Sequence, residues 1–164
     1  MDANTMYLFL NKGLAHVSGV VLEVGPGTIP SALRSVCHLH FTQWQTTDIK
    51  EFPGLSFVCM EYGIPVRDNV YDTIVAANVM EHVRMPWVWT KELGRVLKPG
   101  GKLILMAPSV YRYHLDPLDC WRVWPEGMKA MAEWSGLVHI ESVAANWDEL
   151  FPQNVEMIGI MTKK

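Results

Sequence analysis

The alternation of short apolar runs with segments of helical character constrains the fold most strongly. Residues 20–24, 71–77 and 102–107 are runs in which most side chains are apolar and many are β-branched. Such runs are typical of strands that are buried on both faces of a parallel sheet. Residues 86–98 instead repeat their apolar side chains at helical spacing. The alternation predicts an α/β protein with a doubly wound, mostly parallel sheet.

Weaker patterns complete this prediction. Further strands are expected over 40–46, 55–60, 138–143 and 155–161, and helices over 30–36 and 125–134. The Lys-Pro-Gly-Gly stretch at 98–101 ends the preceding helix, because proline cannot continue it and glycine accepts a left-handed turn. A late strand can run antiparallel. We expect one domain over residues 1–164, with a short arm at 1–18 and an insertion at 108–124.

Charge and cysteine content disfavour several classes of protein. The 17 acidic and 14 basic side chains give a net charge of -3 and are scattered, so no basic stripe predicts nucleic-acid binding. Cys37, Cys59 and Cys120 form no C-x-x-C pair, which fits a reducing compartment. The brief apolar run at 6–10 is too short for a signal peptide or a membrane span. We therefore expect a cytoplasmic protein with no membrane association.

A short glycine loop follows the first predicted strand, in the stretch Leu-Glu-Val-Gly-Pro-Gly-Thr-Ile-Pro at 22–30. In open α/β sheets the first strand-to-helix turn forms the floor of the ligand site. Gly25 and Gly27 permit positive φ and a close approach to the backbone, and Glu23 can hold a polar group. Because tight turns use glycines too, the loop by itself leaves a cofactor site and a plain turn equally open. Asp48 favours the cofactor site, since it ends the second predicted strand where an acid can accept both hydroxyls of a ribose.

The central segment resembles a known enzyme family. The stretch IPVRDNVYDTIVAANVMEHVRMPWVWTKELGRVLKPGGKLILMAPS, residues 64–109, is similar to the central half of class I S-adenosylmethionine-dependent methyltransferases, in particular the type-11 group. The resemblance extends over residues 20–136. It implies a Rossmann-like sheet of seven strands with the last antiparallel, methyltransferase activity, and S-adenosyl-L-methionine as cofactor. Residues 114–137 are similar to a subgroup associated with sugar or natural-product pathways, which implies a small-molecule or sugar-like acceptor.

The resemblance also implies which residues bind the cofactor. They are Glu23, Gly25, Gly27, Asp48, Met60, Glu61, Asn78 and Val79. The first three match the loop under the methionine moiety, and Asp48 matches the acid that binds the ribose. Asn78 and Val79 match positions beside the methionine carboxylate and the sulfonium. Structural roles stay open, because Asp48 can cap a turn and Asn78 can start a helix.

Two departures from the family pattern concern the cofactor. Ile29 stands where the third glycine is expected and Pro30 follows it, so a β-branched side chain is expected at the start of the first helix. Met60 stands where the acid that contacts adenine is expected, with Glu61 one residue later. We expect adenine to be held by backbone donors and by packing on Met60 and Tyr62, with weaker affinity.

The chemistry of methyl transfer requires an aligned acceptor and, for a hydroxyl, removal of a proton. Histidine titrates near neutrality without help. His82, directly after the fourth predicted strand, and His114, beside Asp116 and Asp119, are the two candidates for the general base. The structural alternatives are that His82 serves only in packing and that His114 only braces its loop.

The acceptor is expected at the 108–124 insertion, where Arg112 or Arg122 would pair with an acidic group. No Asp/Asn-Pro-Pro-Tyr stretch follows the fourth strand, which disfavours nucleobase and amide nitrogens, and we expect transfer to oxygen. The short arm at 1–18 leaves two alternatives: the acceptor docks on an open face, or a second subunit closes the site in a homodimer.

Other functions and sites were weighed against this one. The other histidines show no metal-binding pattern, with His38 and His40 expected on a strand, and no metal is predicted. The departures at Ile29 and Met60 suit a methyltransferase-like interaction or regulatory module with weakened cofactor binding. The glycine loop alone permits a nicotinamide oxidoreductase, but the Lys-Pro-Gly-Gly turn and the segment after Asp72 argue against it.

Overall fold

A seven-stranded sheet forms the centre of the computed structural model, which describes residues 3–146 and 155–164. Its strands are β1 Val20–Val24, β2 Gln43–Asp48, β3 Phe57–Val58, β4 Tyr71–Ala77, β5 Leu97–Val110, β6 Val138–Asn146 and β7 Val155–Thr162. Their spatial order is β3-β2-β1-β4-β5-β7-β6. The first five strands pair in parallel, and β7 pairs antiparallel with both β5 and β6. The predicted mostly parallel sheet with a late antiparallel strand is confirmed.

Four α-helices and three shorter turns surround this sheet in the described part of the chain. They are α1 Ala3–Leu8, a π-helical turn Phe9–Gly13, a 3₁₀ turn Leu14–His16, α2 Ala32–Val36, a 3₁₀ turn Met80–His82, α3 Pro86–Val96 and α4 Pro125–Trp134. Pro86 and Pro125 stand in the first turns of α3 and α4, where their missing N–H groups cost nothing. Across residues 3–146 and 155–164, no helix has both the length and the apolar composition needed to cross a membrane.

The sheet separates two apolar clusters. Trp89 and Leu93 of α3 pack in the cluster that contains Ile74 of β4. Phe9 of the π-helical turn packs in the other cluster, which contains Val75, the next residue of β4. Successive side chains of a strand point to opposite faces. Strands covered on both faces are therefore expected to be apolar at most of their residues.

Some predicted boundaries in the first half of the chain are wrong. Helix α2 begins at Ala32 rather than at residue 30, because the Ser31 hydroxyl caps it by accepting the N–H of Arg34 at 3.1 Å. Strand β2 begins at Gln43. His38 and His40 consequently lie in the turn after α2 and not on a strand.

Two further predicted boundaries, those of β3 and of the junction between α3 and β5, are wrong because strand pairing across the sheet determines them. Strand β3 has two residues instead of the six expected over 55–60, and Met60 forms only an isolated bridge with Gly63. Helix α3 ends at Val96, and β5 begins at Leu97, which pairs with Tyr71 before the register shifts. The predicted strand at 102–107 is the regular centre of this longer strand.

Candidate functional site

A cavity of about 670 Å³ lies at the carboxyl ends of β1, β2 and β4. Open α/β sheets bind their ligands at this edge. The lining includes all eight predicted cofactor residues, namely Glu23, Gly25, Gly27, Asp48, Met60, Glu61, Asn78 and Val79. It also includes His82 and residues 116–118 of the predicted acceptor segment, whereas His114 lies behind His82.

The two glycines of the loop after β1 have the same backbone conformation and different surroundings. Both have a φ of +68°, which a side chain rarely adopts. A Cβ on Gly25 would lie 2.4 Å from a methyl group of Val79, so the loop packs directly on the segment after β4. A Cβ on Gly27 would meet nothing within 4 Å. Gly27 therefore leaves open space at the floor of the cavity.

Glu23 links this loop to its neighbours. Its Oε2 accepts hydrogen bonds from the Ser31 hydroxyl at 2.5 Å and from the Trp44 indole N–H at 2.9 Å. Burial raises the pKa of the Glu23 carboxyl, and the two hydrogen bonds and the charge of Arg34 offset this only in part. Glu23 thus lines the cavity and also joins the start of α2 to β2.

Asp48 caps a turn and also lies at the cavity. Its Oδ1 accepts the backbone N–H of Lys50 at 3.0 Å, which caps the turn after β2. The same residue lines the cavity. Across the cavity mouth, the Lys50 ammonium lies 3.3 Å from a carboxylate oxygen of Asp116, which ties the β2 side to the acceptor segment. No sequence pattern predicted that contact.

Asn78 adopts a left-handed conformation with a φ of +55° directly after β4. Asparagine tolerates this region better than most residues. Its amide donates to Glu156 at 3.3 Å and its Oδ1 accepts from the Thr5 hydroxyl at 3.2 Å. The 3₁₀ turn that follows has Val79 at its N-cap position, so Asn78 does not start a helix.

The part of the cavity where adenine is expected differs from the sequence-based prediction at one residue, Tyr62. Met60 is 77% exposed and lines the cavity. Glu61 also lines it, and its carboxylate accepts from the Tyr62 hydroxyl at 2.7 Å and from the Arg84 backbone N–H at 3.0 Å. Tyr62 is absent from the lining found in the described chain, because its hydroxyl is directed to Glu61 and Met85. The expected packing of Tyr62 on adenine is therefore wrong.

Ile29 also lies away from the cavity floor. A Cβ on Gly54 would lie 2.9 Å from a methyl group of Ile29, so this side chain packs on the loop before β3. Ile29 does not occur among the described residues that line the cavity. The expectation that a β-branched side chain starts the first helix is wrong as well, since the cap is Ser31. The departure from three glycines consequently reshapes the outer part of the loop.

The two candidate bases meet at the acceptor side. The rings of His82 and His114 contact edge to face, with centroids 5.0 Å apart. His82 directs Nδ1 to the carbonyl of Leu118. The backbone N–H of His114 donates to the Asp119 carboxylate at 2.7 Å, and Nδ1 of His114 lies 3.3 Å from the same oxygen.

Glu81 is the residue that sequence reasoning missed. It is fully buried, and neither of its carboxylate oxygens has a hydrogen-bond partner within residues 3–146 and 155–164. Burial raises the pKa of Glu81 to about 7, although the nearby charge of Arg122 lowers it. The available signal was an acid within a mostly apolar stretch, directly before His82.

Arg122 braces the acceptor segment. Its guanidinium binds both carboxylate oxygens of Asp119, at 2.6 and 2.8 Å, and donates to the carbonyl of Arg112 at 3.0 Å. These bonds hold the pKa of Asp119 well below its usual range. The acceptor segment reaches the cavity through residues 116–118, not through Arg112 or Arg122.

Comparison with known proteins identifies the family. Residues 22–105 match the family described as the methyltransferase domain. The chain belongs to this methyltransferase family. Over 53 residues it is 38% identical to an uncharacterized methyltransferase of Mycobacterium tuberculosis, a match that covers 32% of this chain and 21% of that relative. The matched part is thus about a fifth of the relative's length.

Solved structures support the methyltransferase fold. A SAM dependent methyltransferase from Aquifex aeolicus is 20% identical with a TM-score of 0.66, over 98% of this chain and 94% of that one. An N-methyltransferase of Haemonchus contortus, solved with phosphomonomethylethanolamine and S-adenosylhomocysteine, is 12% identical with a TM-score of 0.73, over 97% and 52% of the two chains. At these identities the likeness concerns the fold.

Proposed function

We propose that this methyltransferase domain transfers a methyl group from S-adenosyl-L-methionine to an oxygen atom of a small molecule. The observation that carries the proposal is the convergence of the eight predicted cofactor residues on one cavity at the carboxyl edge of the sheet. The cofactor supplies an electrophilic methyl group on its sulfonium. Binding, alignment and proton removal are left to the side chains of this chain.

The cavity floor suits the methionine end of the cofactor. The open space over Gly27 and the left-handed backbone there allow a close approach that a side chain would block. Asn78 and Val79 form the facing wall. Asp48, next along the sheet edge, would accept the ribose hydroxyls, and the exposed Met60 would cover adenine.

The acceptor is proposed to enter on the side of residues 116–118, against His82. His82 is the better candidate for proton removal of the two histidines, because it lines the cavity. His114 would act from behind it, since the two rings are in contact. The ion pair between Lys50 and Asp116 borders this entrance, which favours a polar small molecule over an extended polymer.

The strand order weighs against a nicotinamide oxidoreductase. Dinucleotide-binding folds arrange six parallel strands in the order 3-2-1-4-5-6. Here an antiparallel strand, β7, lies between β5 and β6. A methyltransferase-like module without activity remains the alternative that the experiment must separate.

Titration calorimetry with S-adenosylmethionine, S-adenosylhomocysteine and NAD tests the proposal. We expect micromolar binding of the first two and none of NAD. Absence of heat with all three over a wide concentration range would overturn the proposal in favour of an interaction module. Binding of NAD alone would instead indicate the oxidoreductase.

A further inference from the structure

Three side chains that commonly bind metals meet beside the cavity. One potential ligand atom each from Glu81, His82 and His114 lies within 4.8 Å of the other two. Glu81 and His82 belong to the 3₁₀ turn after β4, whereas His114 lies in the segment after β5. The sheet therefore brings together residues that the sequence keeps about 30 positions apart, a separation at which local spacing gives no metal-site signature.

The buried carboxylate at this point has no donor to satisfy it. Glu81 is fully buried, and both of its oxygens lack a hydrogen-bond partner in the part of the chain that the structure describes. Buried polar groups in folded proteins are almost always paired, because an unpaired one loses its hydration without compensation. Nε2 of His82 lies 3.8 Å from Glu81 Oε1, too far for a hydrogen bond. A cation between them would satisfy both groups.

Both histidines are held in the tautomer that a metal ligand needs. Nδ1 of His82 faces the Leu118 carbonyl, which can only accept, so Nδ1 carries the proton. Nδ1 of His114 lies 3.2 Å from the Arg112 carbonyl and 3.3 Å from the Asp119 carboxylate, which are also acceptors. Nε2 of each ring is then left with its lone pair. Metal-binding histidines characteristically donate their other N–H to a carbonyl or carboxylate in this way.

We propose that Glu81, His82 and His114 bind a divalent first-row transition-metal ion such as zinc or cobalt. Two imidazoles and one carboxylate are a ligand set that such ions prefer, and three protein ligands leave a coordination position open. Metal–ligand bonds of about 2.0–2.2 Å allow two ligands to lie up to roughly 4 Å apart. The ligand atoms, within 4.8 Å of one another, would reach this range after side-chain shifts of up to about 1 Å.

The position of the site gives the ion a role in acceptor binding, a step that rests on the function proposed above. His82 lines the cavity together with residues 116–118. The open coordination position would therefore be available to a polar atom of the acceptor on that side. With the ion bound, His82 and His114 act as ligands, so the ion polarises the acceptor and replaces the proton removal by His82 proposed above.

Cobalt binding to the chelator-treated protein tests the site directly. We expect one equivalent of cobalt with the visible absorption of a protein-bound ion, displaced by zinc. Glu81→Gln and His114→Ala should each weaken affinity by more than the roughly 10–100-fold typical of losing a supporting partner. Glu81→Gln keeps the side-chain shape, so it retains a folded test case if His114→Ala fails to fold, as judged by circular dichroism.

Two control variants exclude binding elsewhere. His139→Ala alters a histidine on β6 that pairs with Ser142, and Cys120→Ser removes an exposed thiol within the acceptor segment. Both should leave cobalt binding unchanged. The proposal is overturned if the wild-type protein binds no equivalent of cobalt, if Glu81→Gln binds as tightly as wild type, or if Cys120→Ser abolishes binding. A wild-type protein that binds S-adenosylhomocysteine but no cobalt would overturn this site alone, and one that binds cobalt but no S-adenosylhomocysteine would overturn the methyltransferase proposal alone.

Discussion

Gly27 and Gly100 form a matched pair at opposite ends of the sheet. Gly27 has a φ of +68° and Gly100 a φ of +77°, and a Cβ on either residue would meet nothing within 4 Å. An alanine should therefore destabilise the fold similarly at both positions, by about 1–2 kcal/mol for the left-handed backbone. Only Gly27 lines the cavity.

Gly27→Ala should accordingly weaken S-adenosylhomocysteine binding where Gly100→Ala does not. We expect a loss of roughly tenfold, or about 1.4 kcal/mol, because the added methyl group occupies the space at the cavity floor. Titration calorimetry on both variants measures it, with urea unfolding as the check on stability. Equal affinities in the two variants would mean that the ligand does not approach the loop at Gly27.

Glu23→Gln separates the stability of the loop from ligand binding. Glutamine keeps an oxygen that can accept from Ser31 and Trp44, and it removes a buried charge. We expect a gain of roughly 1 kcal/mol in unfolding free energy at neutral pH, together with weaker cofactor binding if the carboxylate holds the methionine end.

The stability gain of Glu23→Gln is expected to increase with pH. Because burial raises the pKa of Glu23 above its ordinary value of 4.5, ionisation of the carboxyl costs the folded state stability. The advantage of Glu23→Gln should be absent below the ordinary range of glutamate and should grow as the pH rises towards the folded pKa. Urea unfolding at several pH values measures it, and an advantage that is largest in acid would contradict the prediction.

The residues of the site were predictable to different degrees. The loop glycines and Asp48 follow strands at the sheet edge, so their order in the sequence fixes their place in space. Glu81 was not predictable as a site residue, since its burial arises only in the folded chain, where the distant Cys120 donates its N–H to the Glu81 backbone carbonyl. The misplacement of Tyr62 has a similar cause, because its hydroxyl bonds to Glu61, its neighbour in the chain, and to Met85.

The Arg95 side chain is one of several links between helix α3 and the loop before β4. The Arg95 guanidinium binds the Glu92 carboxylate at 2.7 and 2.8 Å and Asp68 at 2.6 Å. It also donates to the carbonyls of Ile64 and Val66, both at 2.9 Å. One planar group thus contacts Ile64, Val66 and Asp68 in the chain that enters β4.

Arg95→Lys should loosen this connection, because an ammonium has three donors and no planar fork. We expect a loss of about 1–2 kcal/mol in urea unfolding, a modest value for a partly exposed group. Arg67→Lys, in the same loop and exposed, is the control and should change little. A loss shared equally by both variants would indicate a general effect of lysine in this region.

The difference in unfolding free energy between Arg95→Lys and the wild-type protein is expected to change with pH in a defined direction. Hydrogen bonds from Arg95 lower the pKa of Glu92 below its ordinary value of 4.5. The contribution of this pair is therefore complete above that value and is lost as the pH falls through the lowered folded pKa. In Arg95→Lys the stability difference from wild type should shrink on acidification, since both proteins then lose the pair.

Helices and strands with a strong apolar periodicity of their own were predicted well. Strands that exist only because they pair with a neighbouring strand were not. Strand β4 and helix α3 carry their own apolar periodicity, so their centres were correct. Strand β3 has two residues and exists because the Cys59 N–H donates to the Asp48 carbonyl at 2.9 Å and Phe57 pairs with Thr47. No local pattern encodes such a short pairing, and the same holds for the early start of β5 at Leu97.

At the scale of the whole molecule, the two apolar clusters share the strands that carry the cavity. Ile74 and Val75, neighbours on β4, belong to opposite clusters, and β4 ends at the cavity. We therefore expect a change on either face of the sheet to affect the cavity wall through β4. This coupling predicts that the cavity forms and is lost together with the fold.

Thermal unfolding with product tests that coupling. A ligand that binds only the folded chain adds about 2.7 kcal/mol at a concentration 100 times its Kd. For a chain of this length, about 1 kcal/mol corresponds to roughly 2–4 °C, so S-adenosylhomocysteine should raise the Tm by about 5–11 °C in one transition. Gly27→Ala should need a proportionally higher concentration for the same rise. A Tm that does not move at concentrations where calorimetry shows saturation would mean that the cavity binds its ligand without being coupled to the core.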